Sequence, residues 1–199
     1  MASAVVYQSI DKTDSFYLLN AEFDNYELLN QIESKFESAE DKYRILFESP
    51  NVYVHNIKHG QGTILGYRWY SSGDVGTIDD EGFEKITIWL ADNPVYSSED
   101  YILSDSNKVK VAYSRGGSSW PDYACSGYIN NGNLKVQKNG SNLMVYISGY
   151  ITPKGTMADI SWCSNKKYEL EFTASIIEHS DLNPWLGLMP EHVFNATYR

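Results

Sequence analysis

The chain has 199 residues and a mass of 22.6 kDa, with 42% hydrophobic and 21% charged residues. This fits one domain over residues 1–199 and excludes a disordered, collagen-like or short disulfide-scaffold protein. The formal charge is −10, and seven acids against one lysine fall in residues 21–41; the rest lacks the basic stripe that phosphate neutralisation requires, which argues against nucleic acid as a partner.

Residues Met1 to Tyr7 carry no basic segment and no apolar stretch of signal-peptide length, so the expectation is a soluble protein, cytoplasmic or non-classically released. Between Asn25 and Ser38, Leu28, Leu29, Ile32 and Phe36 recur at three- and four-residue spacing. That periodicity predicts an amphipathic helix over about residues 25–38, begun by an Asp24/Glu27 capping box and lying over a sheet.

From about residue 42 the period becomes two. Tyr43, Ile45 and Phe47, then Val52 and Val54, then Leu65, Tyr67 and Trp69, then Ile86, Ile88 and Leu90 alternate with polar neighbours. So do Val109, Val111 and Tyr113, and Tyr168, Leu170, Phe172 and Ile176. Each reads as a half-buried antiparallel strand. Asn131-Gly132 and Asn139-Gly140 are turn signals, dividing residues 123–151 into a three-stranded meander with type I′ turns. Its last run places Leu143, Val145, Ile147 and Ile151 on one face and Met144, Tyr146 and Tyr150 on the other; it should be central in its sheet or line a recognition face. The stretches 71–82, 92–107, 114–122 and 152–166 are rich in Ser, Gly, Asn, Asp and Pro and read as loops. Residues 180–199, with Pro184, Trp185, Leu186, Leu188 and Met189, form an apolar tail expected to dock on the body or on another copy. The predicted architecture is all-β: an antiparallel β-sandwich or flattened barrel of about ten strands with one N-terminal covering helix.

Chemical motifs are sparse. Gly60-Gln-Gly62 to Gly66 approaches a dinucleotide fingerprint but has one residue too many before its last glycine and runs into a strand. His55 and His59 sit four apart in a strand-like run, where four residues span about 13 Å, too far for one metal without a sharp bend. Asp74, Asp79, Asp80 and Glu81 miss the EF-hand spacing and read as a solvated turn. No metal and no cofactor is expected. Cys125 and Cys163, with 37 residues between them, fit neither a redox CxxC nor a zinc site. They are expected as buried free thiols, or, in an oxidising compartment, as one disulfide contributing about 3 to 4 kcal/mol.

The loop Ser118 to Tyr123 places Trp120 and Tyr123 beside Asp122, with Arg115 just upstream, and Asp92, Asn93 and Tyr96 form a second such group. Sugars present apolar C–H faces to aromatic rings and hydroxyls to carboxylates and amides, so both groups are candidate ligand-binding residues for a glycan. The general character is similar to cytosolic lectins and small β-rich toxins, an analogy at the level of fold only. The functional expectation is a non-enzymatic recognition module for a glycan or a glycan-bearing membrane surface, with a toxin-like subcase. Two other classes stand beside it: a protein that self-assembles through residues 180–199, and an enzyme acting on polysaccharide through a carboxylate pair.

Overall fold

In the computed structural model, residues 11–28, 53–71, 82–94, 98–117, 125–153 and 163–178 are described. They form strands β1 (Asp11–Leu28), β2 (Tyr53–Ser71), β3 (Gly82–Leu90), β4 (Glu99–Ile102), β5 (Val109–Gly117), β6 (Cys125–Asn139), β7 (Asn142–Pro153) and β8 (Lys167–Ile176). The sheet order is β4-β6-β5-β3-β2-β1-β8-β7, and β7 pairs back onto β6. The ring β1-β2-β3-β5-β6-β7-β8 is therefore a closed barrel of seven strands, with β4 as an extra strand on β6. Closure leaves the ring without an open edge, the usual reason a sheet of this size curls into a barrel rather than splitting into two layers.

An odd number of strands cannot alternate in direction all the way round, so one neighbouring pair must be parallel. That pair is β1–β8, where Phe16 faces Ser175 and Tyr17 faces Ile176, while the other pairings are antiparallel. The seam is short and is reinforced by the Ile177 N–H donating to Tyr17 O at 3.0 Å and Ser15 Oγ donating to Thr173 O at 2.6 Å.

Alternation decides what is inside. Leu65, Ile86, Ile88, Leu90, Val109, Val111, Tyr113, Leu134, Val136, Val145, Ile147, Ile151 and Phe172 pack into one interior cluster, in agreement with the period-two reading of these strands. On the outer face of β1 and β2, Phe16, Leu18, Ala21 and Ile64 form a second buried cluster. Arg68 is buried there as well and pairs with Asp14 at 2.7 Å.

Four sequence expectations are corrected. Residues 25–28 of the expected helix belong to β1, with Tyr26 opposite His55 and Leu28 opposite Tyr53; pairing with β2 overrides the local 3.6-residue period. The described residues contain no helix, and residues 29–38 lie outside them. Asn131-Gly132 is not a turn: β6 runs unbroken from Cys125 to Asn139, and these two residues form a bulge. Asn131 does adopt the positive φ its sequence suggests, at 53°, but spends it inside a strand. The β6–β7 hairpin turns on Gly140-Ser141, with Gly140 at φ 64°, the type II′ arrangement rather than type I′. Of the two states open to Cys125 and Cys163, free thiols or one disulfide, the structure has the disulfide, Cα–Cα 6.5 Å. The stretch read as a loop at 92–107 also holds a strand, β4, paired to the second half of β6 where β5 has left it.

Candidate functional site

One end of the barrel is made by the last residues of β2, β5 and β7 and the first of β1, β3, β6 and β8. There the inward positions turn from aliphatic to polar and aromatic. On β3 the inward series Leu90, Ile88, Ile86 continues to Glu84, and on β5 Val109, Val111 and Tyr113 continue to Arg115, the register partner of Glu84. β2 adds Tyr67 and β8 adds Tyr168.

These side chains form one network. Tyr168 Oη donates to Glu84 Oε1 at 2.6 Å, and Tyr113 Oη donates to Glu84 Oε2 at 3.0 Å. Arg115 hydrogen-bonds the Tyr113 hydroxyl in turn. The Tyr113 and Tyr168 rings meet edge to face with centroids 5.3 Å apart, and Tyr67 packs on Phe172 at the same separation. Burial and then the Glu84 charge push the pKa of Tyr67, Tyr113 and Tyr168 upward, and Arg115 opposes this at Tyr113. Both carboxylate oxygens are thus engaged by phenols that stay protonated at neutral pH. The arrangement braces the barrel mouth, and among the described residues its network holds one carboxylate, Glu84.

Of the sequence-predicted ligand residues, Arg115 lies at this mouth, half-buried within the network. Asp92 and Asn93 lie past Leu90, at the opposite end of β3, roughly 25 Å away along the strand. Asp92 Oδ1 accepts from Tyr101 Oη at 2.7 Å, so it satisfies the hydroxyl of an otherwise buried ring on β4. Trp120, Asp122, Tyr123 and Tyr96 lie outside the described residues, as does the 180–199 tail. The strand ends that carry the 118–124 connection are Gly117 and Cys125, and β5 and β6 are paired just inside them at Arg115 and Cys125. The disulfide to Cys163 ties this end of β6 to the approach to β8.

The other expectations resolve simply. Gly60 to Gly66 lies wholly inside β2, so it presents no helix N-terminus to a phosphate. His55 and His59 both lie in β2, four residues apart. Among the described residues no group of three or more His, Cys, Asp or Glu is placed to hold a metal ion, and no helix is long and apolar enough to cross a membrane. At the end away from Glu84, Tyr17 Oη donates to Ser141 O at 2.9 Å beside a cleft of about 160 Å³, small against the 300–1,000 Å³ usual for small-molecule sites.

Glu84, Tyr67, Tyr113 and Tyr168 were not singled out from the sequence as a site. A signal existed: Glu84 has the inward parity of Ile86, Ile88 and Leu90, and a carboxylate on the buried side of a strand needs donors nearby. Comparison with protein-family models, with curated proteins and with solved structures finds no match to this chain.

Proposed function

We propose that the protein is a non-enzymatic recognition module that takes a glycan, free or on a membrane surface, at the barrel mouth through Arg115 and the Trp120, Asp122 and Tyr123 loop. The observation that supports this reading is the filled interior. Aliphatic and aromatic side chains occupy the barrel, and at its mouth the Tyr113 and Tyr168 hydroxyls are spent on Glu84. A ligand is therefore met on the rim, where Arg115 borders the network and the Cys125–Cys163 bond ties down the strand end next to the 118–124 connection. Aromatic and carboxylate groups at the rim of a barrel are suited to binding and need no reacting group.

The test is binding of the full chain to a glycan array and to phosphatidylcholine vesicles with and without glycolipid, for the wild type and Trp120→Ala. The reading expects binding that Trp120→Ala abolishes with an unchanged melting temperature. Binding that survives Trp120→Ala would remove the loop from the site, and reducing-end release from the arrayed polysaccharides would make the protein an enzyme.

A further inference from the structure

β7 is central, paired to β6 on one side and β8 on the other. Its inward residues Leu143, Val145, Ile147 and Ile151 are buried, so Met144, Tyr146, Ser148 and Tyr150 project outward. Tyr146 and Tyr150 are 42% and 44% exposed, unusually open for large rings in the middle of a sheet. They stand four residues apart on the same face, about 13 Å along the strand.

The residues around them are polar and specific. Tyr146 lies between Lys135 and Glu171, Ser148 between Asn133 and Glu169, and Tyr150 between Asn130 and Lys167. Midway between the rings, Ser148 Oγ donates to Glu169 Oε1 at 3.1 Å, and Lys167 Nζ contacts the same oxygen at 2.7 Å. Those two donors, the lysine first, hold the Glu169 carboxyl below the usual carboxylate range. A fixed acceptor thus sits between two rings. The β6 bulge completes the face. Two residues, Asn131 and Gly132, oppose Gly149 alone, so Asn130 and Asn133 both point outward, bringing two amides beside Ser148 and Tyr150.

We infer that the outer face of β6-β7-β8 is a binding platform for a neutral, extended glycan, with Tyr146 and Tyr150 stacking on sugar rings and Glu169, Asn130 and Asn133 taking hydroxyls between them. It rests on the proposed function only in taking the ligand to be a glycan; the residues are different. Three features select this occupant. The separation of the rings exceeds a single sugar and suits a chain. The face carries Lys135 and Lys167 against Glu169 and Glu171, a balance that gives an anionic or cationic ligand no field to follow. An apolar protein partner would have to strip water from the Lys167–Glu169 pair, which is costly, whereas sugar hydroxyls replace those water contacts one for one.

The test is native affinity electrophoresis of the full chain through gels containing neutral polysaccharides (laminarin, xyloglucan, mannan) or anionic ones (alginate, heparin), with light scattering alongside. The variants are Tyr146→Ala with Tyr150→Ala, the same pair changed to Phe, Glu169→Ala and Trp120→Ala. At least one neutral polysaccharide should retard the wild type. The double Ala variant should lose about tenfold or more in affinity, and the double Phe variant should keep most of it, since the stacking face remains. Glu169→Ala should weaken retardation with an unchanged melting temperature. Retardation by none of the neutral gels, retardation untouched in the double Ala variant, or retardation by anionic gels alone would each overturn the platform. Loss in Trp120→Ala but not in the tyrosine variants would overturn it while leaving the barrel-mouth proposal standing. A ligand-free oligomer that dissociates in the double Ala variant would reassign the face to self-assembly and overturn it as well.

Discussion

Tyr168 on β8 donates to Glu84 on β3 at 2.6 Å, although two strands, β2 and β1, separate them in the sheet. The bond crosses the interior, and Tyr113 completes it from β5 at 3.0 Å. Glu84→Ala would leave two largely buried phenols without their acceptor. A buried donor left unmade costs roughly 1 to 3 kcal/mol, so the variant, with two such donors, should lose about 2 to 6 kcal/mol in urea denaturation. Glu84→Gln keeps an amide oxygen for one phenol and should lose less than Glu84→Ala. Tyr168→Phe removes a donor while Tyr113 still serves the carboxylate, and should cost less again. Equal stability for the wild type and Glu84→Ala would show that the network contributes nothing.

The same phenols set an alkaline limit. Tyr113 and Tyr168 have raised pKa values in the folded protein, by burial and then by the Glu84 charge, while in the unfolded chain they titrate near the ordinary value of about 10. Above that pH the unfolded state has released protons that the folded state still holds. Their contribution is therefore complete below about pH 10 and falls as pH rises, by up to about 1.4 kcal/mol per pH unit for each group. Melting temperature followed from pH 8 to 12 should be flat at first and then drop, and Tyr168→Phe should drop less steeply. An unchanged slope in Tyr168→Phe would exclude this residue as a source of the alkaline loss.

The Cys125–Cys163 bond closes a loop with a sequence separation of 38 and lies buried in the main core. Chain-entropy reasoning for a loop of this length gives a loss of about 3 to 4 kcal/mol when the cross-link is removed. Reduction, or the double change Cys125→Ala with Cys163→Ala, should lower the unfolding free energy measured in urea by that amount. Because both sulfurs are buried, thiol labelling under reductant should be slow in native buffer and fast once urea unfolds the protein. Rapid native labelling would mean that this end of the barrel opens locally.

Most strands were legible because one face of each had to be buried, and the two-residue period is the direct trace of that demand. Val109, Val111 and Tyr113 illustrate it, as do Ile86, Ile88 and Leu90, all inside the barrel. What failed was local chemistry that a distant partner reassigns. Leu28 opens a series of helical spacing, yet it and Tyr26 pair across to Tyr53 and His55. Asn131 has turn chemistry but meets a β7 strand that accommodates a bulge. Ile176, placed by its period on the inner face of β8, is 55% exposed and lines the cleft beside Tyr17 at the β1–β8 seam. β4 is four residues in a polar stretch, and only the opposite half of β6 makes it a strand. Of the candidate site residues, Arg115 and Asp92 each hold a tyrosine hydroxyl, a pairing set by fold register that spacing along the chain does not encode. The outward row Tyr146 and Tyr150 was readable, since alternation in an all-apolar strand leaves a second face that needs its own account.

Two glycines on the β6–β7 hairpin separate backbone strain from close packing. At Gly140 the φ of 64° disfavours any L side chain, but a Cβ there would meet nothing within 4 Å. Gly140→Ala should therefore cost only the left-handed penalty, about 1 to 2 kcal/mol. At Gly132 a Cβ would collide with the Ser148 carbonyl oxygen and crowd Gly149. Both obstacles are backbone, so no rotamer change can relieve them and β6 must move away from β7. Overpacking of this kind costs about 1 to 3 kcal/mol, and the movement falls where Asn133 faces Ser148. The two variants should thus be destabilised to a similar degree yet differ in function: Gly132→Ala should weaken retardation by neutral polysaccharide, and Gly140→Ala, at the far end of the hairpin, should not. If both bind like the wild type, the bulge does not position the amides of the β7 face; if both bind weakly, stability alone accounts for the loss.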